Sequence, residues 1–402
     1  MKTTVAMFGS SGRLLDHDRK SPDRLLQEVW DNSGNLVFQR AASLLVDDPK
    51  LFVGPGADID HDQTRVVTEC KAIVFPAANH IDSRKDLSEL AAWLGNPGLP
   101  LVVLGIGTQA PDCSDETLEK LVCSFAQDPG FLQLMSLFRR ADVFVGVRGD
   151  FTHRLLRRFD VEAPVLGCPS FLMNAQRDLG MQIERRLKRL KVWIRDGGQG
   201  LRLSVTAASP WSASEMQCEQ NLLRWLHHFG GIYVQQSGGL EVFQAFLDRF
   251  DSPDTEIRVL AKLKYKYGVY GEPGRLSSLL HRFGQIFFDV DDWRDAIGSS
   301  DLSIGTRYHG NALAMQTSVP AIVATHDSRT QELCESTLIP TIPAHKISPQ
   351  TELQEIVAGI EFDGKTYDER RMGCAATMLK ALSGAGIEAS ARLRNLAGMS
   401  TS

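Results

Sequence analysis

Arg307 and His309 stand in the run Gly305-Thr306-Arg307-Tyr308-His309-Gly310, and together they have the chemistry of an oxyanion site. The guanidinium is a permanent forked donor that matches carboxylate and phosphate oxygens. The imidazole gains and loses a proton near neutral pH. Before the pair, Asp301-Leu302-Ser303-Ile304 reads as a short buried strand. After it, Asn311-Ala312-Leu313-Ala314-Met315-Gln316 reads as a helix, and Val319-Pro320-Ala321-Ile322-Val323-Ala324 as a second strand. The pair therefore falls at a strand's carboxyl end and a helix's amino end, where open α/β sheets bind ligands. Free N–H groups and the helix dipole favour an anion there. A phosphorylated or carboxylated substrate suits that equipment, although a salt-bridged arginine beside a core histidine would give the same pattern.

A second strand-end arginine lies in Ala141-Asp142-Val143-Phe144-Val145-Gly146-Val147-Arg148-Gly149-Asp150-Phe151-Thr152. A β-branched strand ends there in Arg148, and Asp150 can cap or open a helix. Two such arginines, one in each half, would face a shared cleft; pairing of Arg148 with Asp142 or Asp150 is the plainer alternative. Arg258-Val259-Leu260-Ala261-Lys262-Leu263-Lys264-Tyr265-Lys266 begins as a strand and delivers Lys262 and Lys264 at its far end. There they would add positive potential to the cleft or guard an exposed edge. Val53-Gly54-Pro55-Gly56-Ala57-Asp58 and Leu104-Gly105-Ile106-Gly107-Thr108-Gln109 also follow strands. Glycine lets backbone approach a ligand, so Gly54, Gly56, Gly105 and Gly107 are candidates to line a cleft, with tight sheet-edge turns the other reading. Neither motif fits Gly-x-Gly-x-x-Gly, and no Gly-x-x-x-x-Gly-Lys-Ser/Thr loop is present, so dinucleotide and P-loop nucleotide binding are poorly supported.

The run from Asp301 to His326-Asp327-Ser328-Arg329 resembles the C-terminal signature of the polysaccharide pyruvyl transferase family: strand, Arg-aromatic-or-Leu-His-Gly, alanine-rich helix, Val-Pro strand. The Arg148 block resembles the family's strand ending in Arg, with an acidic residue and a Thr opening the next helix. Val165-Leu166-Gly167-Cys168-Pro169-Ser170-Phe171-Leu172 is similar to its short strand and Asp/Cys-Pro-type turn. The likeness runs from about Gly34 to Pro340. It departs from the family at Gly34-Asn35-Leu36-Val37, which lacks a following Gly-Asp, and at Gly54-Pro55-Gly56, where a triple glycine is usual. The resemblance implies two Rossmann-like parallel-sheet domains facing a cleft, similar to the B-type glycosyltransferase architecture. It implies transfer of the enolpyruvyl group of phosphoenolpyruvate to a sugar of a polysaccharide or its lipid-linked precursor, closing a pyruvate ketal and releasing phosphate. On that reading His309 transfers the proton, while Arg148, Arg307, Gly310, Lys262 and Lys264 bind phosphoenolpyruvate. Gly54, Gly56, Gly105, Gly107 and Asn35 lie on the acceptor side. No cofactor or metal is implied, because arginines can neutralise the leaving phosphate. A B-type glycosyltransferase using a nucleotide sugar, or a non-catalytic carbohydrate-binding protein, shares the architecture.

The elements that must hold these residues alternate along the chain. Strands are expected at Thr4–Phe8, Leu51–Gly54, Ala72–Pro76, Leu99–Leu104, Val143–Val147, Ala163–Leu166, Leu201–Ala207, Gly231–Gln235, Glu256–Ala261, Gln285–Phe288, Leu302–Ile304 and Pro320–Ala324. Helical patterns lie between them, which implies parallel β-α units. The expected division is 1–180 as an N-terminal, acceptor-side domain, 181–200 as a basic linker, 201–347 as a C-terminal, donor-side domain, and 348–402 as helices able to cross back. The linker's Glu184-Arg185-Arg186-Leu187-Lys188-Arg189-Leu190-Lys191 suits either a solvated face or peripheral contact with anionic lipid. Hydrophobic content of 43% and charged content of 23% over 402 residues are those of an ordinary soluble protein, and a net charge of −5 disfavours a general nucleic-acid binder. No apolar run nears the ~20 residues of a membrane span, and Met1–Gly9 is too short for a secretory signal, so a cytoplasmic setting is expected. Seven dispersed cysteines without Cys-x-x-Cys, and histidines without His-Glu-x-x-His, point to reduced thiols and no metal.

Overall fold

Two parallel sheets form from these short aliphatic runs in a computed structural model that describes residues 2–54, 59–207, 209–212, 215–269 and 274–399. The first sheet comprises β1 (Thr4–Phe8), β2 (Lys50–Val53), β3 (Cys70–Pro76), β4 (Leu101–Ile106) and β5 (Val143–Val147), in the order β2-β1-β3-β4-β5. β4 is buried at every position, as a strand with helices on both faces must be. The second comprises β6 (Leu203–Thr206), β7 (Gly231–Val234), β8 (Gly284–Gln285), β9 (Leu302–Gly305), β10 (Ala321–Thr325) and β11 (Thr341–Pro343), in the order β11-β10-β9-β6-β7-β8. The expected α/β class with two Rossmann-like parallel sheets is the one observed. Strand order reverses between β1 and β3 in one sheet and between β6 and β9 in the other. Each reversal opens a crevice at the strands' carboxyl ends.

Three expected strands differ. Ala163–Leu166 contributes only an isolated bridge from Val165 to Val147, and Gln285–Phe288 shrinks to β8. Glu256–Ala261 lies inside the Pro253–Lys266 helix. Ser252 caps that helix by accepting from the Thr255 N–H, acidic Asp254 and Glu256 occupy its first turn, and Lys264 and Lys266 its last. Val259, Leu260 and Leu263 supply a helical, not an alternating, buried face. The apolar centre read alone imitated a strand; the ends decide it.

The Leu179–Arg195 helix, which carries the basic run, buries Ile183, Leu187, Leu190 and Ile194 and leaves Arg185, Lys188, Arg189, Val192 and Trp193 exposed. The Gly364–Gly384 helix packs on it, and buried Arg371 there donates to the carbonyls of Phe171 (3.1 Å) and Gln176 (2.8 Å). The chain then reaches the first half again: the Ser390 N–H donates to the Leu45 carbonyl at 2.9 Å and the Asp47 N–H to that of Glu388 at 2.8 Å. One apolar cluster takes Met7, Val74 and Leu104 from around the first sheet and Val234, Met315 and Val323 from around the second. All seven cysteines are free thiols. Among the described residues no helix is long and apolar enough to cross a membrane.

Candidate active site

A cavity of about 440 Å³ opens where the two sets of strand ends meet, and Arg148, Arg307 and His309 all line it. Arg148 follows β5, and its N–H donates to the Ile106 carbonyl at 2.9 Å. Its side chain folds back over the ends of β4 and β3. Nε donates to the Gly105 carbonyl (2.8 Å), Nη2 to the Ala77 carbonyl (3.1 Å) and Nη1 to Asn79 Oδ1 (2.8 Å). The residue is 5% exposed. Gly107 makes this path possible, since a Cβ there would stand 2.8 Å from Arg148 Cδ and 2.9 Å from Asn79 Oδ1.

Arg307 reaches the cavity from the other sheet, at the switch point between β6 and β9. Gly305, with φ +154°, lets β9 run against Thr206, which any side chain would strike. Buried Asn311 then pins the loop. Its Nδ2 donates to Thr206 Oγ1 (2.9 Å) and to the carbonyls of Gly305 (3.2 Å) and Arg307 (2.9 Å), while its Oδ1 accepts from Ser303 Oγ (2.9 Å). Arg307 Nη2 donates to Ser237 Oγ at 2.7 Å. Its Nε has no hydrogen-bond partner, and neither have the nearby buried Thr306 Oγ1, Gln236 Nε2, His326 Nδ1 and Glu215 Oε2. An unmet buried polar atom costs about 1–3 kcal/mol, so several on one wall mark a place built to receive a polar ligand. Among the described residues no carboxylate forms an ion pair with Arg148 or Arg307.

His309 packs its ring on Phe38 at 5.4 Å, with Nε2 3.7 Å from Cys168 Sγ. Burial first, then the charges of Arg148 and Arg307, push its pKa down to about 3. The imidazole is therefore neutral near pH 7. Tyr308, buried between, donates to Thr337 Oγ1 at 3.2 Å.

Other expected site residues are placed differently. Gly310 packs against Thr206, where a Cβ would stand 2.5 Å from Cγ2, and lies off the cavity wall. Lys262, on a helix rather than at a strand end, pairs with Glu241 at 2.6 Å over the Trp211 ring, and Lys264 lies beside the ring of Tyr265; neither lines the cavity. Gly105 and Gly107 shape the bed of Arg148 instead of meeting a ligand, and Gly54 packs on the backbone of Gly9. Gly56 lies outside the described residues. Asn35 does line the cavity, with Nδ2 donating to the Val29 carbonyl at 3.0 Å.

Further cations come from Arg84, Lys85 and Arg329. Arg84 pairs through two nitrogens with Asp82, at 2.9 Å each, and Arg329 Nε with Asp327 at 2.7 Å. His326 Nε2 lies 3.7 Å from both Glu215 and Asp327. Arg329 stands just past β10, in the first turn of the next helix, where a strand-end search could find it, whereas Arg84 lies well into the connection after β3 and has no such signal. Behind Arg329 on the same helix, Ser328–Thr337, buried Glu332 accepts from the Thr152 N–H at 2.7 Å and from Thr152 Oγ1 at 3.2 Å. It thereby caps the Asp150–Arg157 helix, whose own N-cap, Gly149, has no side chain to do so. Asp150 opens that helix and pairs with Arg154 at 3.0 Å.

Solved structures similar in fold include an S. aureus MnaA–UDP co-structure, with a TM-score of 0.42 and 10% identity over 95% of this chain and 98% of that one. UDP-GlcNAc 2-epimerase from Neisseria meningitidis bound to UDP-GlcNAc gives 0.39 and 9% over 95% and 100%. An α,α-trehalose-phosphate synthase (UDP-forming) from Burkholderia vietnamiensis gives 0.39 and 12% over 96% and 97%. No curated protein sequence matches the chain. The family model described as polysaccharide pyruvyl transferase matches residues 13–328.

Proposed function

We propose that this chain, which belongs to the polysaccharide pyruvyl transferase family, transfers the pyruvyl group of phosphoenolpyruvate to two hydroxyls of a sugar acceptor, forming a cyclic ketal and releasing phosphate. The observation that carries this reading is the pair of strand-end arginines without carboxylate partners, one from each sheet, on either side of a neutral imidazole. Phosphoenolpyruvate offers a carboxylate and a phosphate to two forked donors. Arg307, with its unmet Nε, suits the phosphate, and Arg148 the carboxylate. In the reaction C3 gains a proton while one acceptor hydroxyl bonds to C2. The second hydroxyl then bonds to C2 as the C2–O–phosphate bond breaks. Of the two hydroxyl protons, one ends on the new methyl group and the other leaves with phosphate.

His309 is the proton carrier on this reading. Being neutral, it can take the first hydroxyl's proton. The anionic donor offsets the two guanidiniums that hold its pKa low, so donor binding raises its proton affinity and lets it keep that proton long enough to deliver it. Family membership supports a sugar of a polysaccharide as acceptor, and a lipid-linked precursor is the form we propose for it. The test is incubation with isotopically labelled phosphoenolpyruvate and a panel of sugars and lipid-linked sugars, reading phosphate release and product mass. Phosphate release that depends on both partners, with label in the sugar, is expected. Consumption of a nucleotide sugar instead would identify a glycosyltransferase, and sugar binding without turnover a binding protein.

A further inference from the structure

We infer that Trp30 is the stacking platform for a pyranose ring of the acceptor, an assignment that rests on the pyruvyl-transfer reading of the same cavity. Trp30 lines the cavity together with Arg307 and His309, and it is 36% exposed although it belongs to an aromatic cluster. Its ring stacks on Phe8, the last residue of β1, at 5.5 Å and 27°. Phe8 is in turn fixed edge-on by Phe75 (5.0 Å) and Trp93 (4.9 Å). The platform thus sits over the switch-point crevice between β1 and β3, where a ligand of this sheet belongs.

The backbone fixes the position of the ring. Trp30 and Asp31 both adopt left-handed conformations, with φ of +50° and +58°. For a bulky residue this costs about 1–3 kcal/mol, a cost met here by the hydrogen bonds that end the preceding helix. The turn is held in place: the N–H groups of Trp30 and Asp31 donate to the carbonyls of Gln27 (3.0 Å) and Leu26 (2.9 Å), and Asn35 Nδ2 donates to that of Val29. The first two of those bonds close the carboxyl end of the Pro22–Glu28 helix, with Trp30 as the left-handed residue just past its Val29 cap. The helix end thereby fixes where the indole leaves the backbone, and the part of the ring not stacked on Phe8 remains exposed.

The same turn is tied to the reacting end of the site. The Ser33 N–H donates to the Gln236 carbonyl at 2.8 Å, and Asn32 bridges to Ser237, whose Oγ receives Arg307. Gly34 abuts His309, for a Cβ there would stand 3.2 Å from Nδ1. Gly34 follows Trp30 by four positions, a reach of at most about 14 Å, so a sugar lying on the indole is within reach of His309. Asn32, Asp82 and Arg84 line the cavity beside Trp30 and provide acceptors and donors for hydroxyls. The electron-rich indole face attracts the partly positive axial C–H groups of a pyranose, while ring hydroxyls stay equatorial and reach these polar groups.

The test uses full-length protein, its Trp30→Leu and Trp30→Phe variants, and methyl hexopyranosides as probes. Saturation-transfer NMR without donor should show ring C–H protons of at least one glycoside saturated by the wild type. Trp30→Leu should lose at least ten-fold in affinity for that glycoside, and Trp30→Phe should recover most of it. The rise in melting temperature caused by phosphoenolpyruvate should stay within error in both variants, which reports an intact fold and donor site. Equal saturation in Trp30→Leu, or none from any glycoside in the wild type while phosphoenolpyruvate still shifts melting, overturns the platform and leaves the donor reading standing. Trp30-dependent sugar binding without any response to phosphoenolpyruvate keeps the platform and overturns the pyruvyl-transfer reading.

Discussion

Arg148 and Arg307 present the same group in different settings, and their substitutions should differ accordingly. Three donors of Arg148 hold the ends of β3 and β4 and Asn79, whereas Arg307 makes one bond, to Ser237, and keeps Nε unmet. Arg307→Lys keeps the charge and loses the fork, so the Michaelis constant for phosphoenolpyruvate should rise about 10–100-fold with little change in melting temperature. Arg148→Lys should raise it too and also lower the melting temperature, because the carbonyls of Ala77 and Gly105 lose their donors. Steady-state kinetics and thermal melts on both variants check this; unchanged donor constants would remove the anion site. His309→Gln should lower turnover about 10²–10⁴-fold. With its pKa held near 3, His309 should show neutral-ring NMR shifts from pH 8 to pH 5 without donor and titrate at higher pH with it. The pair was legible in the sequence because position at a strand end is a one-dimensional property. The true work of Gly105 and Gly107 was not, because it depends on a side chain that starts at residue 148 and doubles back over two other strands.

At the scale of elements, ends carry more information than middles. The Pro253–Lys266 helix declares itself through its Ser252 cap, its first-turn acids and its last-turn lysines, while its apolar centre passes for a strand. The Asp150–Arg157 helix hides the opposite way: its cap is Glu332, far off in sequence, and no local pattern announces it. Burial pushes the Glu332 carboxyl up to about 6, above the ordinary carboxyl value of 4.5. The folded protein therefore holds a proton that the unfolded chain releases between those two values. This contribution to stability is full below about pH 4.5 and is lost as pH rises through 6. Glu332→Gln keeps an oxygen for the Thr152 N–H and removes the buried charge, so its melting temperature should match or exceed wild type at pH 8 and lose that advantage at pH 4.5. Melts across that range check it, and a variant destabilised more at pH 8 than at pH 4.5 would show that the charge itself holds the helix. His309 and His80, held near 3 and 4 by burial, act in the other sense: each takes stability away as pH falls below about 6.5.

For the whole molecule, the sequence pattern makes two parallel sheets legible and leaves their union hidden. Alternating strands and helices specify each sheet because every β-α unit is local, but the surface joining the halves is built from residues far apart in the chain. Met7, Val74 and Leu104 meet Val234, Met315 and Val323 in one apolar cluster, and the segment around Ser390 returns to hydrogen-bond Leu45. Multi-domain chains usually unfold in separable steps. Here, unfolding either half alone would expose the apolar face of the other at about 25 cal/mol per Å², which couples the two halves. Scanning calorimetry should therefore show a single peak whose calorimetric and van't Hoff enthalpies agree, and on the proposed function, in which one arginine from each half binds phosphoenolpyruvate, the donor should move that peak as a whole. Met315→Ala removes a fully buried side chain from the shared cluster. It should cost about 2–5 kcal/mol and lower the one transition without dividing it. Two resolved peaks in the wild type, with donor shifting only one, would mean that the shared cluster is a docking surface between independent halves and that the cavity is assembled anew each time they close.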